Sequence, residues 1–297
     1  MVKKELKIRQ HKFLDKHTYI GALIFSIGGL LFAQIVGGNV IAAIFAVAFP
    51  ENKTMMSMGA EIGAIAASFV MLCLFWRHFY PEYEGGLHGG DKVGKWLLIG
   101  IGYAVAFCAV THIANAFITK DPVGFPAAVN CVGAIMAGVY EETIYRGMTA
   151  SYLMRQWRAN KEKKLLPVIV LSSAVFALIH MLNALNGQDL FFTVMQCINA
   201  FFMGCLMCAL FMRSGNLIPG MIMHALYDFG QFMFVTLINE GGTVADGAFM
   251  STSDIIQLVI MDVVYAALTM YLIRPSVRED IYRIWDMKWK DRSTEVL

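Results

Sequence analysis

LFFTVMQCINAFFMGCLMCALFM, running from Leu190 to Met212, holds no charged residue. A bilayer core of about 30 Å needs roughly 20 consecutive apolar residues in a helix, and this run supplies them. Comparable runs recur on both sides. They lie within Thr18–Phe49, Met58–Tyr80, Val93–Phe117, Pro126–Leu153 and Leu165–Leu182 before it, and Leu217–Ile238 and Asp254–Ile273 after it. The pattern predicts an all-α polytopic membrane bundle of about eight transmembrane helices with short polar connections. Composition agrees. Of 297 residues, 58% are hydrophobic and 15% charged, and the mean hydropathy is +0.58. Soluble domains carry about 25% charged residues. The balance excludes a disordered chain, a collagen-like fibre and a small disulfide scaffold, and argues against an ordinary soluble enzyme. No repeat or low-complexity tract is present, and the first apolar run is too long for a cleavable signal.

Placement of Lys and Arg sets the expected topology. With a cytoplasmic N-terminus, the inner segments hold 21 of them and the outer connections only Lys53 and Lys120; Arg146 lies inside the fourth helix. The positive-inside rule then puts both termini in the cytoplasm. The expected organisation is a basic tail at 1–17, membrane helices at 18–125, a chemistry-bearing core at 126–238, and a last helix with a basic tail at 239–297. A net charge of +2 gives no reason to expect a nucleic acid. Membrane lipid is the expected partner, in a plasma membrane if bacterial or the endoplasmic reticulum if eukaryotic. All six cysteines sit in apolar runs and are read as reduced; Cys205-x-x-Cys208 simply puts two small residues on one helix face. Pro81–Gly90, with two Gly-Gly pairs, reads as a flexible loop. Arg274–Lys290 carries Ile281, Ile284, Trp285 and Trp289 among charges, and reads as an interfacial amphipathic helix or a solvated tail. Gly59-x-x-x-Gly63 permits close helix approach without fixing an oligomeric state. Glu61 is read as lying near the outer interface.

A charged side chain at a helix centre costs about 2.5–3.5 kcal/mol on insertion scales. Six ionisable residues are nevertheless placed in the expected spans: Glu141, Glu142 and Arg146 in the fourth, His180 in the fifth, and His224 and Asp228 in the seventh. Glu142 and Arg146, four apart, share a face and can pair. Glu141 is turned about 100° away, with no local cation and its lone pairs free. The pair thus divides into a structural and a reactive glutamate, the latter suited to moving protons. Phe176 lies one turn before His180. His224 and Asp228, also one turn apart, can orient an imidazole or hold a metal. Two histidines and two kinds of carboxylate on three helices can activate water. The rival reading is a transporter or channel, but no pair of broken helices in matching halves supports it.

These three segments resemble the signature of the CAAX protease and bacteriocin-processing family (CPBP, or Abi) of intramembrane metalloproteases, the type II CAAX prenyl endopeptidase type. The matching motifs are Glu141-Glu142-Thr-Ile-Tyr-Arg146, Phe176-Ala-Leu-Ile-His180 and His224-Ala-Leu-Tyr-Asp228. They span roughly Val129 to Gly230, with Asp228 where Asn is common. The resemblance implies an all-α intramembrane fold and hydrolysis of peptide bonds in prenylated proteins or other peptides. It also admits a bacteriocin self-immunity factor or a scaffold without proteolysis. The roles expected are Glu141 as general base and His180 sharing or orienting the water. His224 and Asp228 stabilise the oxyanion or hold a metal, and Glu142–Arg146 fixes the fourth helix. Zinc held by two histidines and a carboxylate is one variant, a metal-free glutamate site the other. Depth gives one tension. At about 1.5 Å per residue, Glu141 and His180 lie about 20 Å from the inner ends of their helices, but His224 only about 12 Å from Asn216.

Overall fold

A computed structural model describes residues 12–117, 123–185, 187–233, 250 and 252–289. Among these the chain forms helices and connecting loops, with no strand. Helices α1 (Thr18–Ala48), α2 (Lys53–Phe79), α3 (Val93–Phe117), α5 (Arg158–Leu185), α6 (Leu190–Ser214) and α8 (Thr252–Leu272) are long and apolar enough to cross a membrane. Between them lie α4 (128–156) and α7 (Ile218–Gln231), and α9 (Arg278–Lys288) follows. The all-α polytopic architecture is as the sequence predicts, but among the described residues six helices rather than the expected eight meet the requirement by length and apolarity. The two expected spans that fall short, α4 and α7, carry the first and third motifs; the second, Phe176 to His180, lies on α5, which is long and apolar enough. Four charged side chains interrupt α4, and α7 has 14 described residues. The end of the expected seventh span, 234–238, lies outside the described residues.

Burial is most complete on two helices. On α6 every residue from Met203 to Met212 is buried, and on α4 every residue from Glu142 to Met154. A helix apolar on all faces belongs in the interior, as α6 does, whereas α4 is buried with its Glu142–Arg146 charges paired inside the protein. Helices α1 and α2 are drawn together by glycine. A Cβ on Gly63 would stand 2.1 Å from the Gly37 carbonyl oxygen, so the two backbones touch directly. Gly59 packs on Phe45. The small-residue stripe is thus satisfied within the chain.

The loop at 81–92 is tied down, contrary to the flexible loop its glycines predict. Tyr83 is buried and its hydroxyl is hydrogen-bonded with Ser151 Oγ at 2.7 Å. Leu217 N–H donates to the Gly86 carbonyl, and Asp91 N–H to that of Ser214. Asn216, buried, donates from Nδ2 to the Gly89 carbonyl. The loop therefore roofs the turn between α6 and α7, and α7 starts beneath it.

The apolar face of helix α9 is covered by protein, while the side chains of Asp280 and Arg283 on its other face are half-exposed. Ile281, Ile284, Trp285 and Trp289 are all buried in the protein. Trp285 Nε1 donates to the Met154 carbonyl at 2.6 Å, and the Trp289 ring packs on Tyr83 at 4.5 Å. The apolar face that suggested lipid instead covers α4 and the 81–92 loop. Lys288 Nζ donates to the Gly85 and His88 carbonyls, and burial pushes its ammonium down to about 8 from 10.5. Within that window the unfolded chain binds more protons than the folded one, so the docking of α9 is expected to strengthen as pH rises from about 8 to 10.5. Proteolysis of the C-terminal helix at pH 7.5 and 9.5 checks this, and Lys288→Met should flatten the difference.

Candidate functional site

Helix α4 presents its two glutamates through an unusual local winding. Wide π turns at Ala137–Glu141 and Thr143–Ala150 flank Glu142. Such turns recur at functional sites because they re-aim side chains within a continuous helix. Here they aim both glutamates at one ring. Glu142 Oε1 lies 3.2 Å from His224 Nδ1, and Glu141 Oε2 lies 3.7 Å from His224 Nε2. Asp228 Oδ2 is also 3.7 Å from Nε2. The expected split between a structural and a reactive glutamate is therefore modified. Glu142 does pair with Arg146, Oε1 to Nη1 at 2.7 Å, but it also holds the imidazole.

Both members of that ion pair are fully buried, Glu142 at 1% and Arg146 at 0% exposure, so their satisfaction decides the helix's stability. Arg146 Nη2 donates to the Gly204 carbonyl of α6 at 3.0 Å, and its guanidinium lies 4.7 Å over the Phe176 ring. A carboxylate only accepts, so Nδ1 of His224 donates to Glu142 and the Nε2 edge faces Glu141 and Asp228. At 3.7 Å these last two are too far for direct hydrogen bonds; a water about 2.8 Å from both partners is compatible with either gap. Three carboxylates stand against one guanidinium. His224, between them, is placed to hold or pass a proton.

His180 arrives differently. It caps the regular part of α5, with Nδ1 at 3.0 Å from the Phe176 carbonyl. A carbonyl accepts, so Nδ1 carries the hydrogen and Nε2 has a free lone pair. Its ring lies 5.1 Å from that of Phe176, which lies 6.1 Å from that of His224 and 5.0 Å from that of Tyr145. Phe176 thus stands as a buried hub touching both histidines and Arg146. Among the described residues, no hydrogen bond or ion pair joins His180 to Glu141, Glu142, His224 or Asp228.

Zinc needs three or four donors at about 2.0–2.3 Å. Among the described residues no three His, Cys, Asp or Glu side chains are gathered in that way. His224 engages Glu142 through Nδ1, and among the described residues no hydrogen bond or ion pair joins His180 to a carboxylate of the site. The expected donor set of two histidines and a carboxylate does not fit a metal as placed.

Two features, Gly138 and Asp262, escaped the sequence reading, and for a third, Glu61, the structure adds a contact. Gly138 brings the backbones of α4 and α7 together; its Cβ would stand 2.4 Å from the Met221 carbonyl oxygen. Asp262 of α8 is a buried carboxylate in an apolar run, visible in the sequence but assigned no role. Glu61 packs its carboxylate against Gly133 of α4, some two turns before Glu141.

Comparison with known proteins bears on residues 123–230, which match the family model for type II CAAX prenyl endopeptidase Rce1-like proteins. No curated protein and no solved structure matches the chain.

Proposed function

Since segment 123–230 belongs to the CAAX protease family, we propose that this integral membrane protein hydrolyses peptide bonds of a membrane-associated peptide or lipidated protein. The observation that carries the proposal is the clasp of His224 between Glu142 on one nitrogen and Glu141 and Asp228 on the other.

In the proposed mechanism Glu141, partly accessible at 19% exposure, takes a proton from water as its oxygen adds to the scissile carbonyl carbon. His224, as the imidazolium, donates from Nε2 to the oxyanion that forms while Nδ1 donates to Glu142. The proton on Glu141 then passes to the departing amine as the C–N bond breaks. The free Nε2 of His180 orients the attacking water. Glu142, itself held by Arg146, accepts from Nδ1 and fixes the orientation of the His224 ring, as an orienting carboxylate does for a catalytic imidazole. Asp228 places a carboxylate oxygen 3.7 Å from Nε2 on the side of the developing charge.

The testing experiment presents purified, detergent-solubilised protein with a farnesylated CAAX peptide and its unlipidated counterpart, and follows cleavage by mass spectrometry. Cleavage of the lipidated peptide is the expected result. No cleavage, together with ion flux in vesicles that depends on His180 and His224, would replace the protease by a transporter. Metal removal divides the two catalytic variants. With the donors as described, activity is expected to survive chelation verified by elemental analysis. Loss on chelation and recovery with zinc would restore the metal variant.

A further inference from the structure

The helix that carries His224 and Asp228 is short, and its described part ends at Gln231. Something must fix its rotation and depth, because roll or sliding of α7 would carry His224 off both glutamates. A polar chain from outside the matched segment reaches it. Asp262 of α8, 5% exposed, accepts a hydrogen bond from Asn199 Nδ2 of α6 at 2.9 Å. Asn199 Oδ1 accepts one from the Tyr227 hydroxyl at 3.1 Å. Tyr227 immediately precedes Asp228 and follows His224 by almost a full turn.

The order of donors makes the chain directional. A carboxylate accepts and cannot donate, so Asp262 fixes Asn199 with its amide N–H toward α8 and its carbonyl toward α7. That carbonyl then requires the Tyr227 hydroxyl as donor. The other side of Tyr227 is closed by stacking on Phe107 of α3, ring centroids 4.5 Å apart. Tyr265, one turn beyond Asp262 and fully buried, packs against Phe107 at 6.5 Å. A carboxylate in an apolar helix persists when it has a partner and a use. The partner here leads, through one amide, to the helix of the site.

We propose that Asp262 is a positioning residue for the hydrolytic site, holding α7 through Asn199 and Tyr227 so that His224 meets Glu141 and Glu142. This rests on the proteolytic reading above. It assigns a role in that chemistry to the last membrane helix, which lies outside residues 123–230.

The test uses the full chain and two readouts. The first is cleavage of the farnesylated peptide. Asp262→Ala and Tyr227→Phe are each expected to lower kcat about ten-fold with KM unchanged, the scale of one lost hydrogen bond to a charged or buried partner. The double variant should be no worse than Asp262→Ala alone, since both cut one chain. Asp262→Asn, which can still accept, should recover most of the loss. The second readout needs no activity: the rate at which diethyl pyrocarbonate modifies His224, followed by mass spectrometry. His224, 2% exposed, should be protected in the parent and several-fold more reactive in Asp262→Ala. Thr269→Val, at another buried polar position of α8, should change neither. Unchanged kcat and unchanged His224 protection in Asp262→Ala would overturn the inference, as would losses that add in the double variant. If the parent cleaves nothing, the proteolytic reading fails on its own, while His224 reactivity still decides whether Asp262 positions α7.

Discussion

Glu141→Gln is expected to abolish peptide cleavage, by about 10²–10⁴-fold, while the protein still inserts and folds. The substitution keeps the size of the side chain and its reach toward His224 Nε2. It removes the group that can take a proton from water. Because Glu141 stands 3.7 Å from Nε2 rather than in direct contact, the change breaks no close ion pair, and the folded population should be preserved. Glu142→Gln provides the contrast. It weakens a 2.7 Å buried pair and leaves Arg146 short of its counter-charge, so its damage should appear first in yield and thermal stability. Wild-type cleavage by Glu141→Gln would remove the general-base role and leave Asp228 as the remaining carboxylate beside Nε2.

What could be read from the sequence was whatever depends on periodicity and on the cost of burying charge. The apolar runs gave the helices because a lipid-embedded backbone must satisfy its own hydrogen bonds. The Glu142–Arg146 pair follows from four-residue spacing, and its expense in lipid marked it as meaningful. The convergence of Glu141 and Glu142 on one imidazole was hidden, because ideal helix geometry sends adjacent residues about 100° apart and nothing local announces a π turn. The amphipathic pattern of Arg278–Lys288 was visible, but a face of Ile and Trp looks the same whether it meets lipid or α4. The loop at 81–92 misled because glycines speak for local conformational freedom. What holds it are backbone bonds to the distant residues Ser214, Leu217 and Lys288. Asp262 was overlooked for a related reason. Its meaning lies in Asn199 and Tyr227, residues that carry no charge and look like ordinary helix interior.

Gly138→Ala is expected to cost about 100-fold in kcat without unfolding the protein. The hydrogen that faces α7 would become a methyl 2.4 Å from the Met221 carbonyl oxygen and 2.8 Å from both the amide nitrogen and the Cβ of Ala225. These are mostly backbone atoms, which cannot turn aside as a side chain can. Relief needs α7 to retreat by about 1 Å, and a misplacement of that size can cost about 10²-fold in rate. Met221 and Ala225 bracket His224, so the retreat carries the imidazole away from Glu141 and Glu142 directly. The stability cost of overpacking is about 1–3 kcal/mol, small enough for the variant to be purified and assayed. Gly102→Ala on α3 serves as control: its Cβ would meet nothing within 4 Å, and in a helix the exchange is neutral or mildly stabilising. Gly220→Ala should be intermediate, because its nearest neighbour is the Glu142 carboxylate oxygen at 3.1 Å, a side chain already held by Arg146 and His224. A folded Gly138→Ala protein with parental kcat would mean that the contact between α4 and α7 does not set the distance on which the reaction depends. The clasp of His224 would then be packing rather than chemistry.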